Sequence, residues 1–366
     1  MVESQVVIVG GGPAGLAAGI EVARAGGRVT VIDENKKPGG QLFKQIHKFF
    51  GSKEHLAGVR GYDIGKKLLE ETEELGVNVI LDAPVYGVFE DNTVVYAKDG
   101  VQNKIRGEKI ILATGATENS LAFPGSDLPG VMGAGAAQTM INVNRVLPGK
   151  RVLMVGSGNV GLIVSYQLMQ AGAEVVGLVE AGPNVSGYGV HASKIRRGGV
   201  PVYTSHTVTR AMGEGEVEKV EICEVDSSYQ PIPGKEKVLE VDTICLAVGL
   251  TPMSELAWTL GCDFTHIPSF GGHVPKHNED MEASLNGIYV AGDISGVEEA
   301  SSAMEEGRLA GISASEALGL YTSEEAAKLK GEVWKRLNTL RDGEFGEKRR
   351  LSKAEQINRS RRSHNE

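Results

Sequence analysis

Two glycine runs in this 366-residue chain have the residue types and spacing to hold a phosphate. The first is Gly10-Gly11-Gly12-Pro13-Ala14-Gly15. In a G-x-G-x-x-G run between a strand and a helix, the first glycine permits a tight turn. The second lets the backbone approach a pyrophosphate, and the third lets the helix pack close to the strand. The helix N-terminus then stabilises the phosphate charge. Asp33 follows 18 residues past Gly15, with Glu34 next to it. At that strand end a carboxylate accepts hydrogen bonds from an adenosine ribose. The second run, Gly156-Ser157-Gly158-Asn159-Val160-Gly161, begins 146 residues after the first, and Glu180 lies 19 residues past its last glycine. A glutamate there accepts from a free 2′-hydroxyl and repels a 2′-phosphate, which favours NAD(H) over NADP(H). No arginine stands in the Ala181-Gly182-Pro183-Asn184 segment that follows; Arg196 and Arg197 come later.

The elements that must position these runs are legible around them. Residues 5–9 form an apolar strand, a small-residue helix runs to about residue 25, and residues 28–32 form the next strand. The pattern repeats with a strand at 151–155, a helix to about 171 and a strand at 174–179. Two such βαβ units imply two nucleotide-binding domains related by duplication. Between them lie a Lys/Glu-rich helix near 65–75, a β-rich stretch at 77–101, and a strand at 109–112 entering Ala113-Thr114-Gly115. Strands at 243–247 and 287–291 run into Val248-Gly249 and Gly292-Asp293, and a small-residue helix spans about 298–318. That helix carries Met304-Glu305-Glu306, which reads as a solvated face.

Composition narrows the class. Glycine, at 49 residues, stands at nearly double the usual ~7%, without a Gly-X-Y period or a Gly/Ser tract. The net charge of −9 argues against a nucleic-acid footprint over the whole protein. No apolar run reaches transmembrane length, and no signal peptide is expected. Cys223, Cys245 and Cys262 are far apart, so neither a disulfide framework nor a zinc or iron–sulfur site is expected within the chain. Cys245 reads as a buried core thiol. The histidines show no ligand spacing, so no metal is expected. A soluble, reducing, cytoplasmic setting fits. The last twenty residues carry seven Lys/Arg against three Glu. Such an end could dock a partner, but reads first as a frayed, solvated terminus.

These motifs together resemble the two-dinucleotide-domain flavoprotein superfamily that includes thioredoxin reductase. The resemblance covers about residues 4–320 and rests also on Gly39-Gly40-Gln41-Leu42, Ala113-Thr114-Gly115, Ala247-Val248-Gly249 and Tyr289-Val290-Ala291-Gly292-Asp293. It implies FAD in the first site, held by Gly10, Gly12, Pro13, Ala14, Gly15, Asp33, Glu34, Gly40, Gln41, Val85, Ala113, Thr114 and Gly115. Gly292 and Asp293 inherit contact with the ribityl and phosphate portion. Glu299 and Ala300 would face the pyrimidine edge of the isoalloxazine. The second site, with Gly156, Gly158, Asn159, Val160, Gly161, Glu180 and Gly249, would take NAD(H). His47, near the Gly39-Gly40 loop, is a candidate acid/base or interface residue, against a packing role.

A narrower resemblance rests on Phe123-Pro124-Gly125-Ser126-Asp127-Leu128-Pro129-Gly130-Val131-Met132 and on Val146-Leu147-Pro148-Gly149-Lys150-Arg151. It points to the sarcosine oxidase α, opine and hydroxyproline dehydrogenase α and hydrogen cyanide synthase B subunits. The implied partner is a second flavoprotein subunit of amino-acid-oxidase type. The cysteine cluster of many such subunits is missing, so an iron–sulfur centre would need a separate subunit. No C-x-x-C pair supports disulfide reduction.

The expected fold is α/β, with two Rossmann-like dinucleotide-binding domains. The FAD domain (1–118 and 262–321) is split by an inserted NAD domain (119–261), and a charged C-terminal helix or tail (322–366) follows. The expected activity passes electrons between FAD and NAD(H), in the electron-transfer subunit of a hetero-oligomeric amino-acid, amine or hydroxy-acid dehydrogenase. A stand-alone NADH-dependent reductase of a protein or quinone, and a nucleotide-binding scaffold, are the alternatives.

Overall fold

The run Val6-Val7-Ile8-Val9 has no polar face, so a strand made from it needs cover on both sides. The computed structural model, described for residues 2–50 and 52–363, supplies both covers. Residue 1 and residues 364–366, at the ends of the expected domain ranges, lie outside the described residues. Val6 and Ile8 pack with Ala14, Ala18, Leu309 and Ala310. Val7 and Val9 pack with Val94, Tyr96, Ile105 and Ala257.

This strand, Val2–Val9, lies inside a sheet whose order is Asn78–Ile80, Val29–Ile32, Val2–Val9, Val101–Leu112, Thr93–Lys98 and Val85–Val88. The first four pair in parallel and the last two extend the sheet antiparallel. The far end of Val101–Leu112 also pairs in parallel with Ile288–Val290. The sheet therefore ends three strands, at Val9, Leu112 and Val290, beside one another. The helices Pro13–Arg24 and Ala300–Ala317 lie close together because both are rich in small residues. A Cβ at Gly307 would overlap the Ala14 carbonyl, and one at Gly311 would sit 2.6 Å from the Ala18 carbonyl oxygen.

The chain divides into two units, one of Met1–Thr117 with Thr251–Glu366 and one of Glu118–Leu250. The second crossing falls earlier than the expected 261. The reason is burial: Ala257, Leu260 and Cys262 belong to the apolar cluster of Val88, Ile105 and Leu112.

The C-terminal segment corrects the expectation of a frayed end. Helix Ser323–Leu340 starts at a capping box, Thr322 with Glu325, and Ala326, Val333 and Leu337 enter the cluster of the first helix. Helix Gly343–Ser363 buries Ser352, Lys353, Gln356, Ile357 and Ser360. Gln356 Nε2 donates to the Pro275 carbonyl at 2.8 Å, and Arg359 to Thr265 Oγ1 at 2.7 Å.

The second unit holds a parallel sheet ordered Val202–Thr204, Glu174–Glu180, Arg151–Val155, Thr243–Leu246 and Val131–Gly133. Helices Ala134–Thr139, Asn159–Ala171 and Gly189–Arg197 cover one face through Ala137, Leu162, Leu168 and Ile195. A three-stranded antiparallel sheet, His206–Met212, Lys219–Val225 and Pro231–Glu240, covers the other through Val208, Val220 and Ile222. Among the described residues no helix is long and apolar enough to cross a membrane.

Candidate dinucleotide sites

Both glycine runs sit between a parallel strand and a helix, and the three glycines divide their roles alike. A Cβ at Gly10 (φ 107°) would overlap the Ala113 carbonyl, and one at Gly15 the Gly10 carbonyl. In the second unit a Cβ at Gly156 (φ 102°) would overlap the Ala247 carbonyl, and one at Gly161 the Gly156 carbonyl. At the middle glycines, Gly12 and Gly158, an added Cβ meets no protein atom within 4 Å. Packing dictates the outer glycines; it does not dictate the middle ones, which fits close approach of a ligand. Gly12 and Gly158 are also the N-caps of helices Pro13–Arg24 and Asn159–Ala171, and no side chain caps either helix. Pro13 occupies the first helical position, where its missing N–H costs nothing. The first-turn N–H groups and the positive end of the helix suit an anion.

An acid at the end of the second strand braces each turn. Asp33 Oδ2 accepts from the Gly11 N–H at 2.5 Å, and its Oδ1 accepts from Asn35 N at 2.7 Å and Asn35 Nδ2 at 2.9 Å. Asp33 is only 6% exposed whereas Glu34 is exposed, so of the two neighbouring acids Glu34 presents the accessible carboxylate. Glu180 Oε2 accepts from Ser157 N at 3.1 Å, from the Ser157 hydroxyl, and from Ser186 Oγ at 3.4 Å. Its Oε1 accepts from Gly182 N at 2.8 Å. Asn159 Oδ1 accepts from Tyr188 N at 2.9 Å, and Val160 is 42% exposed. Gly249 (φ 114°) accepts through its carbonyl from Asn119 N at 3.0 Å. Arg196 and Arg197 end helix Gly189–Arg197, exposed.

The remaining residues of the first site arrive from four separate segments. Gly39 N donates to the Gly11 carbonyl at 2.6 Å, and a Cβ on Gly40 would be 3.0 Å from Gly12 Cα, so this loop, with exposed Gln41, folds back on the first turn. Ala83 N donates to the Asp33 carbonyl at 3.0 Å, which carries the chain into half-buried Val85 beside that strand end. Ala113 N donates to Val9 O at 2.8 Å, Thr114 Oγ1 to the Met253 carbonyl at 2.5 Å, and Gly115 (φ 80°) accepts from Met253 N. A Cβ on Gly292 would lie 2.9 Å from the Ala14 Cβ, which places the Gly292–Ser295 turn against the first helix. Burial, with Glu306 and Glu298 nearby, pushes the Asp293 carboxyl up to about 7.

Glu299, the N-cap residue of Ala300–Ala317, is exposed and pairs with Arg349 at 3.4 Å, while Ala300 is half-buried beside the cluster of Leu42, Phe49 and Met304. His47 stacks on Phe49 with centroids 6.0 Å apart. Glu305 and Glu306 are not a solvated face: each is 2% exposed. Glu305 pairs with Arg308 at 2.5 Å and Arg336 at 2.9 Å; Glu306 pairs with Arg341 at 2.6 Å and Lys353 at 3.0 Å. Spacing could not reveal Arg336, Arg341 and Lys353, because each lies some thirty residues or more from the acid it meets. The local signal was a pair of acids in an otherwise small-residue, buried helix. All three cysteines are buried and outside any disulfide, and burial pushes the Cys245 thiol up to about 12.

This arrangement defines a class: an α/β protein with two dinucleotide-binding units of the thioredoxin-reductase type. The chain aligns structurally with thioredoxin reductase of T. acidophilum at a TM-score of 0.72 and 21% identity, over 87% of this chain and all of that one. The chain belongs to the pyridine nucleotide-disulphide oxidoreductase family, whose model matches residues 4–307, and is thus an oxidoreductase of the NAD/FAD Rossmann type. It is 28% identical over 346 residues to the A component of opine oxidase from Agrobacterium tumefaciens, covering 87% of this chain and 67% of that protein. It is 29% identical over 339 residues to the HcnB component of hydrogen cyanide synthase from Pseudomonas aeruginosa, covering 84% and 70%. Both relatives are subunits of their enzymes. The chain thus spans about two thirds of these relatives' length.

Proposed function

We propose that the first unit binds FAD, that the second binds NAD(H), and that the protein is the electron-transfer subunit of a hetero-oligomeric dehydrogenase acting on an amino acid, amine or hydroxy acid. The observation that carries the cofactor reading is the shared geometry of the two turns: a middle glycine that packing does not require, at the uncapped start of a helix, behind an acid-braced N–H. The subunit names of the two relatives support an assembly. The partner would be a second flavoprotein subunit of amino-acid-oxidase type, and any iron–sulfur centre would reside on a separate polypeptide.

Bound FAD supplies hydride and electron chemistry, with nicotinamide as the exchange partner. The chain's own residues bind and orient. Gly10 and Gly12 bring backbone to the pyrophosphate, and the start of Pro13–Arg24 stabilises its charge. Glu34 accepts from the ribose while Asp33 holds the turn. Gly292 and Asp293 hold the ribityl chain, and Asp293 has the environment to donate or accept a hydrogen bond near neutral pH. In the second unit Glu180 both braces the turn and selects the unphosphorylated ribose.

Anaerobic titration of the purified protein with NADH tests the reading. The expected result is a yellow protein whose colour bleaches on addition of about one equivalent. A colourless protein would overturn the FAD assignment, and a yellow protein inert to NADH would overturn the second site. Purification from the native cells with or without an amino-acid-oxidase-like chain decides between membership of an assembly and a stand-alone reductase.

A further inference from the structure

The Gly292–Ser295 turn is tied from behind by groups that no dinucleotide motif contains. Glu306, from helix Ala300–Ala317, accepts from Gly292 N at 3.1 Å and Ser295 Oγ at 2.8 Å through one carboxylate oxygen. Its other oxygen meets Arg341 and Lys353. Lys353 Nζ also donates to the Ser295 carbonyl at 2.9 Å and to Ser295 Oγ at 3.2 Å, and sits 4.9 Å from the Phe270 ring centroid. Arg341 makes a two-pronged contact with Glu298, at 2.8 and 3.1 Å. The Glu298 N–H in turn donates to Asp293 Oδ1 at 3.3 Å. Arg341, Lys353, Glu298 and Glu306 are all nearly solvent-free, at 2–3% side-chain exposure. Two cations balance two carboxylates, and removing either cation leaves a buried charge uncompensated.

Arg341 is the C-cap residue of helix Ser323–Leu340 and Lys353 lies in helix Gly343–Ser363, both beyond residue 307 where the family match ends. A tail that only covered apolar surface would not need two buried cations on one turn. We propose that Lys353, with Arg341, is a positioning residue for the cofactor turn, so that the C-terminal segment is a built-in strap that fixes Gly292 and Asp293 for binding the flavin. This inference rests on FAD occupying the first unit. It assigns the charged tail to the same lobe as the cofactor rather than to a partner.

The test uses the full chain stripped of flavin and reconstituted with FAD, read by quenching of flavin fluorescence, with thermal melts of the apo forms alongside. Lys353→Met should weaken FAD binding at least ~10-fold, as loss of a buried charged hydrogen bond predicts, and Lys353→Arg should recover part of it. Should Lys353→Met fail to fold, the pair Lys353→Met with Glu306→Gln removes both charges together. That double variant should melt within a few degrees of the parent yet still bind FAD at least ~10-fold more weakly. Arg359→Ala, which loosens the same helix away from the turn, should lower the melting temperature and leave FAD affinity within about twofold. Wild-type affinity in Lys353→Met or in the double variant, or losses that merely track melting temperature across all variants, would overturn the strap. Absence of quenching by the parent protein would overturn the cofactor reading itself.

Discussion

The two glycine turns share a plan and differ in what holds them. In the second unit the support is local: Glu180, Ser157, Ser186, Gly182, Asn159 and Tyr188 all lie within residues 157–188. In the first unit the support is assembled from afar. The turn is braced by Asp33, overlaid by Gly39 and Gly40, and faced by a Gly292–Ser295 turn that is pinned in turn by Arg341 and Lys353. The hydrogen bonds of a local cradle depend on one short segment, with Ala247 as its packing partner from the end of a distant strand. A long-range cradle reports on the integrity of the whole unit, so its ligand and its stability are linked.

The largest expected effects come from the middle glycines. Both have extended backbone that any residue adopts, and neither side has a protein atom to clash with. Gly12→Val should therefore leave the apo melting temperature within about 2 °C while abolishing flavin retention on gel filtration. Gly158→Val should keep the flavin and lower NADH affinity by about 100-fold, ~3 kcal/mol. Equal loss of both ligands in either variant would break the comparison. Next come the acids. Glu180→Ala removes brace and ribose acceptor together and should raise the NADH Kd by about 30-fold, measured by stopped-flow bleaching. Glu34→Gln should weaken FAD by only about 10-fold and leave the melt unchanged, since Asp33 still braces the turn.

Acid acts on the first unit through two buried groups of opposite sign. Burial and the neighbouring Lys353 push His277 down to about 3. The unfolded chain takes up a proton below its ordinary 6.5, and the folded one does not until about 3. The stability that His277 contributes is therefore full above 6.5 and lost as pH falls through that window, by up to about 1.4 kcal/mol per pH unit. Glu306 is also buried, yet Lys353 and Arg341 hold it below the ordinary carboxylate range, so its contribution disappears at still lower pH. Asp293, raised to about 7, has the opposite sign: the folded chain holds its proton where the unfolded one has lost it, which adds stability as pH falls from 7 toward 3.8. The two largely offset, so melts of the first unit should change little between pH 7 and pH 4, and His277→Gln should make that unit melt higher toward acid. The smallest effect belongs to Ser186→Ala. It removes two long hydrogen bonds, 3.4 Å to Glu180 and 3.2 Å to Ser157 Oγ, and should change NADH affinity by no more than about twofold.

Much of the site was legible because its logic is short-range. Strand 151–155 was read to the residue, and the acids 18 and 19 positions past the last glycines lie where a βαβ unit must place them. What could not be read from spacing was the division of labour between Asp33 and Glu34, because only three-dimensional packing turns one inward. The tail was misread for a physical reason. Lys353 and Arg341 sit in a strongly charged stretch, and charge density alone favours solvent. Burial was decided by Glu298, just before helix Ala300–Ala317, and by Glu306 within it, some 35 to 47 residues earlier, where the adjacent acids Glu305 and Glu306 were a local sign of charge. The capping box at Thr322 and Glu325 and the spacing of Ala326, Val333 and Leu337 were the available clues to an ordered end.

The first unit is made from two separated stretches of the chain, with the second unit spliced between them. A chain is synthesised from its N-terminus, and folding follows in that order. The strand Val2–Val9 and the glycine turn after it therefore leave the ribosome early, but wait for all of Glu118–Leu250 to be made before Ile288–Val290 can complete the sheet. Lys353 comes later still. The contiguous unit can close during translation, whereas the split one can be finished only once that lysine has emerged. On the proposed reading, flavin loading of the first unit then comes late in synthesis. A premature stop between Leu250 and Lys353 would yield a protein whose second unit is whole and whose first lacks its last fastening.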